Sequence, residues 1–150
     1  MKSIKLITVL ALALLSGNLY AGIAEKEVDY SVNGVSFKGF IAYDDAQQGK
    51  RPGVLVVHEW WGHNEYARKR TRMLAKMGYV AMALDMYGGG QQADHPKDAG
   101  KFSSAIVSNL PEAEKRFMAA YKTLQNQPQT DGKQIAAIGY CFGGGISLAM

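Results

Sequence analysis

The chain of 150 residues predicts an α/β domain: a mostly parallel, doubly wound sheet with a β-hairpin at its N-terminal end. Three observations carry this expectation. The continuous apolar runs Gly53–His58, Tyr79–Leu84 and Ile135–Tyr140 have the character of parallel strands covered on both faces. Segments of helical periodicity separate them, giving strand, helix, strand, helix, strand. Ahead of them lies an alternating segment interrupted by Asn33-Gly34, the sequence of a type I′ hairpin turn. A content of 47% hydrophobic and 20% charged residues fits one globular domain and excludes a disordered or fibrous chain.

Met1–Ala21 stands apart from that domain, which is expected to span residues 22–150. Lys2 and Lys5 precede the apolar stretch Leu6–Leu15, and small or polar residues lead to Ala21. This is the pattern of a secretory signal peptide, too short to span a membrane, with Ala24 as an alternative cleavage point. It predicts export to a periplasm or the medium and no membrane association once the signal is removed. Both lysines would leave with it, taking the formal net charge from +4 to +2. No run of basic residues with interleaved aromatics remains to suggest a nucleic-acid partner. The single cysteine, Cys141, excludes an intrachain disulfide, so an exported chain must bury this thiol or use it.

Within Glu25–Tyr43, Val28, Tyr30 and Val32 alternate with polar residues before the turn, and Val35 and Phe37 begin the return strand. Asp44–Pro52 reads as a polar loop. The run Gly53–His58 then ends in Glu59-Trp60-Trp61-Gly62-His63. Asn64 is placed to cap a helix over Glu65–Met77, stopped by Gly78. Tyr79–Leu84 ends in Asp85-Met86-Tyr87 and three glycines. No secondary structure is assigned to Gln91–Lys101. Ser103–Leu110 and Glu112–Leu124 read as helices, with Pro111 in the first turn of the second. Polar residues or glycines stand at the C-terminal end of every core strand, where such folds place their sites.

The most informative stretch is Gly139-Tyr140-Cys141-Phe142-Gly143. A nucleophile-capable residue lies between two glycines where an apolar strand gives way to a helix, the spacing of a nucleophile elbow with Cys in place of Ser. The glycines suit a turn so tight that side chains there would collide with its neighbours. The positive end of the following helix favours a thiolate and a developing oxyanion. A buried structural cysteine in a Gly-rich turn is the competing reading. Other motifs carry less. His58, Glu59 and His63 are spaced H-E-x-x-x-H rather than H-E-x-x-H, which argues against a zinc site. Gly88–Gly90 lacks the Lys-Ser/Thr of a phosphate-binding loop. Trp60-Trp61 reads as core packing and pocket wall.

In this order, VVHEWWG, YVAMALDMYGGG and GYCFGGG resemble the dienelactone hydrolase family of the α/β-hydrolase fold, over essentially all of Val28–Met150. The resemblance implies an enzyme that cleaves a small ester or lactone through an acyl-enzyme, without a metal or organic cofactor. It implies Cys141 as nucleophile, the backbone N–H groups of Trp60 and Phe142 as oxyanion hole, and Gly139 and Gly143 as elbow glycines. Glu59 matches the family glutamate that contacts the resting thiol. A carboxylate there would disfavour a second negative charge and guard the sulfur against oxidation. Capping of local N–H groups is the plainer role for Glu59. Two departures qualify the match. Where family members that act on dienelactone carry a substrate-pairing arginine, this chain has Gly89, so a related lactone or ester is an equally good expectation. In this fold the triad acid and histidine follow the nucleophile, and neither is found after Cys141, so the sequence is expected to be the N-terminal portion of a longer enzyme. A non-catalytic exported α/β-hydrolase-like binding domain, or an inactive fragment, is the alternative. A thiol redox protein is disfavoured, because no C-x-x-C is present.

Overall fold

The structure is a computed structural model and describes residues 22–150; the expected signal peptide lies outside them. Nine elements follow one another: β1 (Ile23–Val32), β2 (Val35–Asp44), β3 (Arg51–Val57), α1 (Glu65–Lys76), β4 (Val80–Leu84), α2 (Pro96–Val107), α3 (Leu110–Gln125), β5 (Thr130–Gly139) and α4 (Phe142–Ala149). They form a five-stranded sheet of order β1-β2-β4-β3-β5. β4, β3 and β5 run parallel, while the β1–β2 hairpin joins β4 through antiparallel pairing of Phe40–Ala42 with Ala81–Ala83. The expected hairpin is present. Asn33 and Gly34 both have positive φ, 51° and 82°, as a type I′ turn requires.

The two faces of the sheet are filled differently. On one face Phe37, Ile41, Leu55, Val57, Met82 and Leu84 meet Phe117, Ala120 and Leu124 of α3, and Ile146 of α4. On the other, Phe40, Ala42 and Ala83 meet Ala67 and Ala75 of α1. Successive strand residues point to opposite faces, and on the second face the small side chains of Ala42 and Ala83 admit α1 at close range. α1 begins and ends where the sequence places it. Asn64 Oδ1 accepts the Ala67 N–H at 3.3 Å, and Gly78 leaves the helix at φ 95°.

Three boundaries differ most from expectation. α2 starts at Pro96, well before Ser103, with His95 as the cap: its Nδ1 accepts the Lys97 N–H at 3.2 Å. Histidine is not an ordinary capping residue, and Gly100 weakens the helical pattern, so the sequence conceals this start. β5 begins at Thr130 rather than Ile135, because Thr130 and Asp131 pair with Arg51 and Pro52 before a register shift. The same pairing brings Arg51 and Pro52 into β3 rather than the preceding loop. Arg51 is buried, with its guanidinium on the Asp44 carbonyl and over the Tyr43 ring.

Candidate active site

The parallel strands end level with one another: Val57 pairs with Leu84 on one side and with Gly139 on the other. Their continuations, His58–His63, Asp85–Gly90 and Cys141, therefore share one edge of the sheet. Cys141 stands at φ 53° and ψ −121°, a conformation that L-residues rarely adopt. Its thiol is exposed among the described residues rather than packed into them.

The two flanking glycines explain how that conformation is held. A Cβ on Gly139 would overlap the Gly143 carbonyl, and one on Gly143 would overlap the Val57 carbonyl and lie 2.6 Å from that of His58. The start of α4 is thus pressed onto the ends of both β5 and β3, and only glycine fits at either position. Phe142, the first residue of α4, has no acceptor for its N–H within the helix. Trp60, in the loop after β3, likewise donates to no group among the described residues. Both N–H groups are thereby available at the edge where Cys141 is exposed.

Glu59 and Trp60 are half-buried on that loop, and Trp60 packs edge-to-face on Trp61 at 5.2 Å. No hydrogen bond joins the Glu59 carboxylate to the Cys141 thiol. Its charge is felt by Arg70 of α1, whose guanidinium is raised above its ordinary value by hydrogen bonds to the Tyr66 hydroxyl and, less strongly, by Glu59. Arg70 also lies over the ring of Tyr140, the residue before Cys141, at 5.0 Å. Gly89 is exposed and a Cβ there would meet nothing within 4 Å, so the position offers space but no side chain.

Four residues not singled out in the sequence hold this edge together. Asp85 is fully buried and its carboxyl group accepts the N–H groups of Lys38, Tyr87, Gly88 and Gly90, at 2.7–3.3 Å. Tyr30 brackets the same residue, donating to its carbonyl and accepting its N–H. Arg116 of α3 donates to the Met86 carbonyl at 2.9 Å. Tyr87 donates its hydroxyl to the Trp60 carbonyl at 2.9 Å, tying the β4 loop to the β3 loop. An acidic residue three positions before a glycine run is a recognisable signal for a loop wrapped on a carboxylate; the other contacts span tens of residues.

The histidines are engaged elsewhere. His58 is buried, and its two ring nitrogens bond to the Glu59 carbonyl and the Met86 N–H. His63 is buried against the Ala83 carbonyl. His95 caps α2. Burial pushes both inner histidines below their ordinary pKa, His63 to about 4, which keeps them neutral.

The fold and this edge agree with what the chain is similar to. The model of the dienelactone hydrolase family matches residues 37–150. The chain is 34% identical over 125 residues to "Protein usf" of Aquifex pyrophilus, covering 81% of this chain and 52% of that protein. The same figures describe its match to the "Putative carboxymethylenebutenolidase" of Aquifex aeolicus. A dienelactone hydrolase-like promiscuous phosphotriesterase from metagenomic libraries superposes with a TM-score of 0.81 at 35% identity, over 85% of this chain and 53% of that one. The chain thus spans about half the length of the curated relatives it matches. With most of its length inside the family model and its elbow built as described, the chain belongs to the dienelactone hydrolase family and has that family's α/β-hydrolase fold.

Proposed function

We propose that the protein hydrolyses a small carboxylic ester or lactone with Cys141 as nucleophile. The observation that carries this reading is the backbone of Cys141: a strained, exposed conformation enforced by two glycines, beside two undonated N–H groups. Strain of this kind is kept where it serves a site. The Cys141 thiol gives its proton to a general base, and its sulfur attacks the substrate carbonyl carbon. The carbonyl oxygen becomes an oxyanion facing the N–H groups of Trp60 and Phe142. Collapse breaks the bond to the leaving oxygen, which takes up the proton and leaves a thioester on Cys141. Water then hydrolyses the thioester and restores the thiol. None of the three histidines is placed to be the base, because each is committed to a backbone group as described. We assign that role to a part of the protein outside residues 22–150. Glu59, on the neighbouring strand end, is assigned the guarding of the resting thiol.

Support for an ester or lactone comes from the names of the relatives, which include the "Putative carboxymethylenebutenolidase" of Aquifex aeolicus. A Bradyrhizobium protein 30% identical over 128 residues is named "Probable 2-oxo-3-(5-oxofuran-2-ylidene)propanoate lactonase". Export is proposed from Met1–Ala21, and the start of the domain supports cleavage after Ala21. The Gly22 N–H bonds to Asp45 Oδ1, and Ile23 and Ala24 pair with Asp44 and Tyr43, so cleavage after Ala24 would trim β1.

The test is turnover of small aryl esters and lactones by the full-length natural protein and its Cys141→Ala variant. Loss of at least about a thousandfold in kcat is expected, as for removal of a nucleophile acting as part of a unit. A variant that retains wild-type turnover would leave the binding-domain reading in its place.

A further inference from the structure

We infer that His58 is the positioning residue of the oxyanion hole, acting through the peptide that joins Glu59 to Trp60. The inference rests on the function proposed above and adds a residue to it. Its starting point is the tautomer. The Met86 N–H points at His58 Nε2 at 3.1 Å, and a backbone N–H can only donate, so Nε2 is the bare nitrogen. The ring proton of the neutral imidazole is therefore on Nδ1, which donates to the Glu59 carbonyl at 2.6 Å.

That carbonyl belongs to the same peptide unit as the Trp60 N–H. In a trans peptide the two groups point in opposite directions, so fixing one fixes the other. The Gly62 N–H adds a second bond to the Glu59 oxygen at 3.2 Å. With the carbonyl held from inside the protein by two donors, the Trp60 N–H is turned outward. Donation to the carbonyl also polarises the peptide and makes its N–H a better donor.

His58 touches the other half of the hole as well. Its ring stacks on that of Phe142 at 5.8 Å and 22°, and Tyr87 meets it edge-on at 4.7 Å. One buried ring thus orients the peptide of Trp60 and packs against the residue that supplies the second N–H. Its burial keeps the ring neutral, with the tautomer this arrangement needs. A protonated ring would place a second N–H against that of Met86.

The experiment measures kcat and KM of the full-length natural protein and its His58→Gln and His58→Phe variants, on an aryl ester and on the matching thionoester. Sulfur is a poor hydrogen-bond acceptor, so a working oxyanion hole favours the ester. Deleting an oxyanion-hole donor outright costs about 100- to 1000-fold in kcat; misaligning one should cost about 10- to 100-fold here. The inference expects that fall in kcat with KM within about threefold, and a comparable fall in the ester-to-thionoester rate ratio. Full turnover in both variants, or equal losses on the two substrates, would overturn it. A second measurement is independent of whether the variants fold: histidine ring nitrogen NMR of the wild-type protein. A proton on Nδ1 of His58 supports the inference, and a proton on Nε2 overturns it. Wild-type turnover by Cys141→Ala would instead remove the reaction on which the inference rests. Inactive Cys141→Ala beside fully active His58 variants would remove the inference alone.

Discussion

At Cys141 the protein accepts a costly backbone conformation and fixes it with neighbours rather than with bonds. The thiol is exposed and has no hydrogen-bond partner among the described residues, so its chemistry is left to the groups beside it. Glu59 is the charged residue at the adjoining strand end. On the guarding role proposed for Glu59, Glu59→Gln should raise the rate of Cys141 alkylation by iodoacetamide severalfold at neutral pH. An unchanged rate would leave Glu59 with a local structural role only. Residues like Cys141, Gly139 and Gly143 are legible in a sequence because the elbow packs five adjacent positions into one steric problem. His58 is not. Its role depends on Met86, 28 residues away, and on which ring nitrogen carries the proton. Beside Glu59 and His63 it invites comparison with a metal motif instead, although both of its nitrogens are already bonded.

Among the elements, the three strand ends do the positioning and the loops between them carry the side chains. The Asp85–Gly90 loop shows how. Its carboxyl group is buried beneath four N–H donors, and Arg116 and Tyr87 bind the loop outward to α3 and to the β3 loop. In Asp85→Asn the amide would turn donors toward donors in a site without water access. Unfolding by denaturant should then show a loss of about 2–4 kcal/mol, with lowered turnover from a displaced Trp60 loop. Unchanged stability would mean that the loop does not depend on this carboxyl group. The core strands and α1 were legible element by element, because periodicity, Asn64 and Gly78 all agree. α2 was not, since its cap is a histidine and its interior holds Gly100. The early start of β5 was hidden for a different reason: Thr130 and Asp131 are polar residues recruited by pairing with β3, which no local pattern reports.

At the scale of the molecule, two neutral histidines are packed at the junction of β3, α1 and β4. Burial lowers the pKa of both, that of His63 from 6.5 to about 4, with His58 adding to the effect. The unfolded chain takes up protons as pH falls through about 6.5, whereas the folded protein keeps His63 neutral until about pH 4. Stability is therefore full above about pH 6.5 and declines toward pH 4, by on the order of 3 kcal/mol for His63. Thermal melts across this range should show the decline, and His63→Leu should flatten it; a flat wild-type profile would contradict the buried neutral pair. The order of strands, the level strand ends and the strained elbow all converge on one exposed sulfur. The measurement that addresses this directly is the intact mass of the full-length natural protein, quenched in acid within milliseconds of mixing with an activated aryl ester. The account predicts a transient gain of one acyl group, mapped to Cys141 and lost with Cys141→Ala. Turnover with no acyl adduct, or an adduct that persists in Cys141→Ala, would contradict it.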